Sequence, residues 1–153
     1  MRFRRAFIGA LAAVLATVGA VAVASPAQAA PSKCWTLGYD NGREVFASND
    51  YNGDGAFVDA LLCWSARGNG YYDTYVEWTV YDDLANGAGA TIRIEWTGTD
   101  GALHTFVPPS NQRAWTDGES VNGVKHTDNI KGLYIRACLT NTSNPWHHCG
   151  VKV

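Results

Sequence analysis

The sequence has no cluster of basic residues beyond its first five positions, and only 17% of its residues are charged. It contains 14 Asp and Glu but 12 Lys and Arg, and three of the basic residues are Arg2, Arg4 and Arg5. Without those three arginines the net charge falls from −2 to −5. Nucleic acids and anionic membranes attract clusters of Lys and Arg, so the composition argues against both as partners.

Beyond residue 24 the sequence also lacks an apolar run long enough to span a bilayer. Residues 7–24 form such a run, between the N-terminal arginines and the small-residue site Ala27-Gln28-Ala29. This order is typical of a secretory signal peptide, which we assign to residues 1–29, and a retained membrane anchor is the alternative. Export predicts an extracellular protein whose remaining ~120 residues have the size of one domain.

No catalytic motif is recognisable in the sequence. It contains no Gly-x-Ser-x-Gly elbow and no Cys and His at the spacing of a nucleophile and its base. The adjacent carboxylates Asp82 and Asp83 lie in a predicted turn, where turn chemistry is the simpler interpretation. His104 and His126 lie in a predicted strand and a polar loop. We therefore predict that the protein is not an enzyme.

Four cysteines all follow the signal peptide: Cys34, Cys63, Cys138 and Cys149. An even number of cysteines in an exported chain indicates disulfides, and four cysteines allow three pairings. The pairing of the first with the second and of the third with the fourth is favoured, because each bond then closes a local loop. A zinc site that adds His147 and His148 is the alternative, although its spacing matches no familiar zinc pattern.

The sequence has no amphipathic helical pattern, and its apolar residues alternate in several short runs instead. Residues 75–81 and 90–97 each place apolar side chains on one face, with Asn86-Gly87 between them. We expect these runs to pair as a β-hairpin whose polar positions, including Glu95, face water. Short strands separated by turn residues predict an all-β fold, a small antiparallel β-sandwich or open barrel with two disulfides.

Turn-forming residues divide the rest of the chain. Residues 30–72 are rich in Gly, Asn and Asp, and they predict an irregular N-terminal segment pinned by a disulfide. Residues 73–153 predict the β-sandwich domain. Within it, residues 132–140 have the clearest further strand pattern, whereas residues 110–129 are polar and predict a loop with a short strand at 113–116.

One turn of the N-terminal segment has the residue types of a cation site. Asp50, Asn52 and Asp54 place oxygen-bearing side chains at alternate positions before Gly55. This pattern matches the first half of a calcium loop, because a hard cation needs several converging oxygens and the glycine allows a tight turn. The closing acid is missing, since Leu61 occupies the twelfth position. A calcium site and an Asx-rich surface turn are therefore the two alternatives.

Aromatic residues make up 12% of the chain, and many of them lie at predicted loop or polar positions. Amphipathic rings at such positions often serve as recognition anchors. Trp64 follows a cysteine and is expected to pack on its disulfide. The predicted binding surface contains Tyr39, Tyr51, Tyr71, Tyr72, Trp115 and Trp146.

Several stretches resemble small secreted two-disulfide β proteins of actinomycetes. They are residues 80–87, 92–96 and 132–138, with Asp100-Gly101 and Cys149-Gly150. Within that group the chain resembles the adaptor subunits of umbrella toxin particles. The resemblance implies an N-terminal strap, here residues 31–70, that inserts into a helical repeat stalk, and a globular part that holds a lectin-bearing partner.

These features together predict a secreted, non-enzymatic binding protein, an adaptor in an extracellular toxin-type assembly. Its expected partners are a repeat-containing toxin and a lectin subunit. One alternative is a carbohydrate-binding module that recognises a polysaccharide, with structural calcium. Another is a proteinase inhibitor that presents residues 139–148 as a disulfide-braced loop.

Overall fold

The computed structural model describes residues 31–153, and the predicted signal peptide at residues 1–29 lies outside them. Antiparallel strands dominate the described chain, which confirms the predicted all-β class. Helix α1 covers Ser32–Thr36, and a short 3₁₀ helix covers Ser110–Gln112. The six strands are β1 (Asn41–Ser48), β2 (Ala56–Ala66), β3 (Tyr72–Asp82), β4 (Gly89–Thr97), β5 (Leu103–Phe106) and β6 (Ser120–Thr140).

Strand β6 is 21 residues long and belongs to both halves of the molecule. Its first half pairs with β3 and its second half with β4, so the strand order is β1-β2-β3-β6-β4-β5. Asn129 and Gly132 have positive φ angles of 53° and 61° where the partner changes. Such a bend lets one strand pass between two packed sheets. The first sheet contains β1, β2, β3 and the first half of β6, and the second sheet contains the rest.

The hydrophobic core lies between the inner faces of the two sheets. Because successive side chains of a strand point to opposite faces, alternate residues of each strand enter this core. The first sheet buries Val58, Leu62, Val76, Trp78 and Val80, and the second sheet buries Ile92, Ile94, Ile135 and Ala137. Two apolar faces packed in this way form a β-sandwich whose sheets share one bent strand.

The predicted hairpin between residues 75–81 and 90–97 is wrong. β3 pairs with β2 and β6, whereas β4 pairs with β6 and β5. The alternation predicts the apolar face of each strand correctly, but these faces meet across the core instead of lying side by side. The connection at residues 83–88 is longer than a two-residue hairpin turn, which allows the chain to cross from one sheet to the other.

Residues 30–72 also differ from the irregular segment predicted for them. They contain α1, β1 and β2, and β2 pairs with β3 along its whole 11-residue length. β2 buries Val58, Ala60 and Leu62 in the common core, so no boundary separates this segment from the sheet that follows. Gly, Asn and Asp are abundant on either side of β1 and β2, so the short alternating runs of these strands are hard to recognise in the sequence. The strap expected at residues 31–70 is therefore largely a pair of strands built into the first sheet.

The loop predicted for residues 110–129 is wrong in its second half, because β6 begins at Ser120. The inward positions of this half of β6 include Gly123 and Lys125, so the stretch lacks the apolar alternation that marks a strand. The packing explains the glycine at position 123, because a Cβ there would overlap the indole of Trp78. Residues 113–116 contribute an isolated bridge between Ala114 and Ala90.

Both disulfides follow the favoured pairing: Cys34 with Cys63, and Cys138 with Cys149. All four described cysteines are therefore used, and the zinc alternative is wrong. The first bond joins α1 to β2, and the second ties the C-terminal segment to β6. That segment continues along β6, where backbone hydrogen bonds of 3.1 Å join Ile135 and Val153 in both directions. By loop entropy each cross-link stabilises the fold by about 3 kcal/mol.

Candidate functional site

A cleft of about 270 Å³ opens between the two sheets where β6 bends. One wall comes from the inner faces of β1, β2 and β3, and the other from the bend itself. The positive φ angle of Gly132 turns the chain here, in a conformation that strains residues with a Cβ. The first wall contains Arg43, Leu62, Trp64, Tyr72 and Thr74, and the second contains Ile130, Lys131, Gly132 and Leu133.

The two rings of the cleft come from neighbouring strands. Trp64 lies opposite Thr74, and Tyr72 lies opposite Ala66, so the rings are diagonal neighbours on one face. Trp64 points away from the preceding Cys63 because successive residues of a strand face opposite sides. It packs against the main core, and the prediction that it packs on the disulfide is wrong.

Arg43 and Lys131 give the cleft a positive charge. Arg43 projects from β1 opposite Leu62, and Lys131 belongs to the bend of β6. Both residues are exposed, and neither forms a salt bridge within residues 31–153. Nζ of Lys131 lies 5.2 Å from the ring centroid of Tyr71. Because no carboxylate lines the cleft, these cations can meet an anionic ligand without displacing an internal partner.

Two of the predicted binding aromatics lie at the cleft, Tyr72 in its wall and Tyr71 beneath Lys131. Tyr39 lies on the outer face of the first sheet instead, with its ring centroid 6.1 Å from that of Tyr75. Burial raises the pKa of the Tyr39 hydroxyl, with a further contribution from nearby carboxylates. Tyr39 packs beside the Cys34–Cys63 bond and therefore supports the fold at this end of the sheet.

The remaining predicted aromatics lie away from the cleft. Tyr51 is 99% exposed in the turn between β1 and β2. Trp115 donates its indole N–H to the carbonyl of Ser110 at 2.8 Å. The ring centroid of Trp146 lies 3.8 Å from the guanidinium carbon of Arg93. The six predicted residues therefore do not form one binding surface.

Eight of the nine residues that line the cleft escape the sequence prediction, which names only Tyr72. The escaped residues include a ring and two cations: Trp64, Arg43 and Lys131. A signal for Trp64 exists, since the alternation of apolar residues over 58–64 places it on the inner face of β2. No comparable signal marks the two cations. They line one cleft because β1 and the bend of β6 meet in space, although about ninety positions separate them in sequence.

A buried asparagine organises the turn between β1 and β2. Asn49 is fully buried, and its side-chain amide donates to the carbonyls of Asn52 and His148 at 3.1 Å. Its side-chain oxygen accepts the N–H of Ala56 at 2.8 Å. These contacts close the turn and attach it to the C-terminal loop.

The residues of the predicted calcium site follow in the same turn: Asp50, Asn52 and Asp54. Asn52 donates its amide to the carbonyl of Cys149 at 3.1 Å, and Asp54 accepts the N–H of Gly55 at 2.7 Å. Local bonds of this kind are those of an Asx-rich turn. Among residues 31–153 no three acidic, His or Cys side chains converge as metal ligands. Calcium at this turn stays a prediction.

The outer face of the second sheet carries a buried carboxylate. Glu95 is 1% exposed, so the prediction that it faces water is wrong. Its carboxylate lies 2.6 Å from Nζ of Lys152, 2.9 Å from Nε of Arg93 and 3.4 Å from Nε of Arg136. Burial by itself would raise the pKa of Glu95, but the three cations lower it. These four residues, the Glu95 cluster, hold the C-terminal segment, because Arg136 also donates to the carbonyl of Gly150.

Asp82 is a second buried carboxylate, also 1% exposed, at the end of β3. Burial raises its pKa, and the neighbouring carboxylates of Asp117, Asp83 and Glu119 raise it further. The backbone N–H of Leu84 donates to it, while Oδ1 lacks a hydrogen-bond partner among the described residues. Glu95 is paired with three cations, whereas Asp82 forms no salt bridge within residues 31–153.

Residues 139–148 form the loop that the inhibitor hypothesis singles out. The Cys138–Cys149 bond closes it, and Leu139 and His147 exchange backbone hydrogen bonds of 2.9 Å. The side-chain oxygen of Asn141 accepts backbone N–H groups at its tip. Its backbone is thus held by local bonds, and an inhibitory role stays a prediction.

No protein-family model, curated protein or solved structure matches this chain. Its function is therefore inferred from the geometry of residues 31–153. Within that range, no helix combines the length and the hydropathy needed to cross a membrane. The two disulfides are consistent with an extracellular location.

Proposed function

We propose that this chain is a secreted, non-enzymatic binding protein that holds a protein partner through the cleft. The observation that carries the proposal is the cleft's lining. There, Trp64 and Tyr72 accompany two cations that have no acidic partner among the described residues. Aromatic and Arg side chains in a pocket are frequent energetic anchors of protein interfaces.

The strands hold the cleft's rings in position before a ligand arrives. Trp64 and Tyr72 belong to two paired strands of 11 residues each. Because the backbone that carries these rings is already ordered, binding loses little conformational entropy there. The lining contains no carboxylate, imidazole or thiol that could activate a nucleophile, and the hydroxyl of Thr74 already donates to the carbonyl of Thr127 at 2.9 Å. This chemistry suits recognition better than catalysis.

A second aromatic surface supports a role as an adaptor. Phe46 is 58% exposed on the outer face of the first sheet. Its ring centroid is 6.2 Å from that of Phe57, which is 5.8 Å from that of Tyr81. This row and the cleft lie on opposite faces of the sheet, since the row alternates with core residues. Two separate surfaces would let one subunit join a repeat-containing toxin to a lectin subunit, the partners that the resemblance implies.

Affinity capture tests the proposal. The tagged full-length chain, its Trp64→Ala variant and a Tyr51→Ala control would be expressed for export and incubated with culture supernatant of the producing organism. We expect the wild type and the control to retain a secreted protein that Trp64→Ala loses, because the ring of Tyr51 lies outside the cleft. Equal capture by all three, or capture by none, would contradict the proposed function.

A carbohydrate-binding module remains the alternative, because aromatic rings in an open cleft can also stack on sugars. Tryptophan fluorescence during titration with a panel of polysaccharides separates the two functions. Quenching that Trp64→Ala abolishes would favour the sugar, and unchanged fluorescence across the panel would favour the protein partner.

A further inference from the structure

We infer that the cleft binds an acidic segment of a protein chain, in which an Asp or Glu side chain neighbours a large apolar one. The inference rests on the proposed function and adds the chemistry of the ligand. Three properties of the lining carry it: its charge, its apolar walls and its small number of free hydrogen-bonding groups.

Charge complementarity favours an anionic ligand. Arg43 lines one wall and Lys131 the other, and no acidic residue lines the cleft. The chain as a whole has a net charge of −2, so this positive site differs in sign from the rest of the molecule. A carboxylate between the two cations would form charge-assisted hydrogen bonds, and an arginine can bind both of its oxygens.

The walls favour an apolar group beside the anion. Four large apolar side chains line the cleft: Leu62, Trp64, Ile130 and Leu133. Its volume of about 270 Å³ is slightly below that of ordinary small-molecule pockets, roughly 300–1,000 Å³. A space of this size admits one or two side chains, while the main chain that carries them stays at the opening.

The small number of polar groups argues against an acidic sugar. Sugar hydroxyls need hydrogen-bond partners once water is removed from them. The lining contains no Asn, Gln, Asp or Glu, and the hydroxyl of Thr74 already donates to the carbonyl of Thr127 at 2.9 Å. Tyr72 supplies the other side-chain hydroxyl of the lining. A carboxylate with an adjacent apolar side chain needs only the cations and the apolar walls that are present.

Selection from a library of random nonapeptides displayed on phage tests the ligand class. The target is the oxidised protein purified after export of the full-length chain. Each round would be repeated on Trp64→Ala, on the double variant Arg43→Gln/Lys131→Gln, and on Lys33→Gln/Lys125→Gln. The last variant loses the same two charges outside the cleft. Sodium polygalacturonate, added as a competitor, represents the acidic sugar.

We expect the selected peptides to be enriched in Asp or Glu next to a large apolar residue. Recovery should fall by about tenfold or more on Arg43→Gln/Lys131→Gln and remain unchanged on the charge-matched control. Peptides without acidic enrichment, or equal recovery on both double variants, would overturn the inference. Binding of polygalacturonate that depends on the cleft, without acidic peptides among the selected sequences, would also overturn it.

The same variants separate this inference from the proposed function. In the capture experiment, a partner that Trp64→Ala loses but Arg43→Gln/Lys131→Gln retains would leave the binding function in place and refute the acidic ligand. A partner that all cleft variants retain would refute both. Circular dichroism of each variant before use confirms that lost binding does not reflect lost fold.

Discussion

The cleft and the Glu95 cluster both combine cations with aromatic rings, yet their surroundings differ. In the cleft, Lys131 lies 5.2 Å from the ring centroid of Tyr71. In the cluster, the guanidinium of Arg93 lies 3.8 Å from the ring centroid of Trp146. The cluster surrounds a buried carboxylate, whereas no carboxylate lines the cleft.

This difference indicates what each group of cations does. In the cluster, Glu95 forms ion pairs with all three cations, and the pair with Lys152 attaches the C-terminal segment to the second sheet. In the cleft, Arg43 and Lys131 keep their charge available at an opening. The presence of one carboxylate therefore separates a structural brace from a candidate binding surface, and mutations at the two sites should affect different properties.

The largest expected effect is that of Glu95→Gln, which keeps the side chain's size but removes its charge. Breaking a buried ion pair costs about 3–5 kcal/mol. Because the three cations retain partial contact with water, we expect a loss of about 3 kcal/mol in the free energy of unfolding. Urea denaturation followed by tryptophan fluorescence measures it. Glu44→Gln, at an exposed position of β1, is the control, and a similar small loss in both variants would contradict a brace.

The pH dependence of the free energy of unfolding should differ between the wild type and Glu95→Gln. The pKa of Glu95 is lowered in the folded state, so its contribution is complete above the ordinary pKa of a glutamate. It is lost as the pH falls through the lowered value. The wild type should therefore lose stability in acid more steeply than Glu95→Gln. Urea denaturation between pH 3 and 7, roughly the range where carboxylates titrate, measures the free energy of unfolding of both proteins. An equal dependence on pH in the two proteins would refute this prediction.

A smaller effect of opposite sign is expected for Asp82→Asn. The pKa of Asp82 is raised in the folded state, so its ionised carboxylate destabilises the fold. This destabilisation begins above the ordinary pKa of an aspartate and is complete above the raised value. Asparagine keeps an acceptor for the N–H of Leu84 and removes the charge. We expect a gain of about 1 kcal/mol at pH 7 that disappears in acid. A gain that persists below the ordinary pKa, or an equal gain from exposed Asp83→Asn, would contradict it.

The smallest effect on stability is expected for Arg43→Gln/Lys131→Gln. Both residues are exposed and form no salt bridge within the described chain, so the free energy of unfolding should change by less than about 0.5 kcal/mol. Binding to the captured partner should nevertheless be lost. Thermal unfolding monitored by circular dichroism gives the first value, and the capture experiment gives the second. A large loss of stability would make the cleft a structural site like the Glu95 cluster.

Of the nine residues that line the cleft, only Tyr72 belongs to the binding surface predicted from the sequence. The abundance of aromatic residues predicts Tyr71 and Tyr72, and the alternation in β2 holds a signal for Trp64. Arg43 and Lys131 have no local signal. Their proximity depends on the bend in β6, which lies within a stretch whose polar inward positions predict a loop.

The sequence by itself determined which residues share a face in β3, β4 and the second half of β6. It also indicated the pairing of the four cysteines into two local disulfides. Only the tertiary structure decided that β3 and β4 face each other across the core, that Glu95 is buried among three cations and that a cleft opens at the bend. The reason is that side-chain alternation is a property of one strand alone. Which strand lies beside it depends on contacts between residues far apart in the chain.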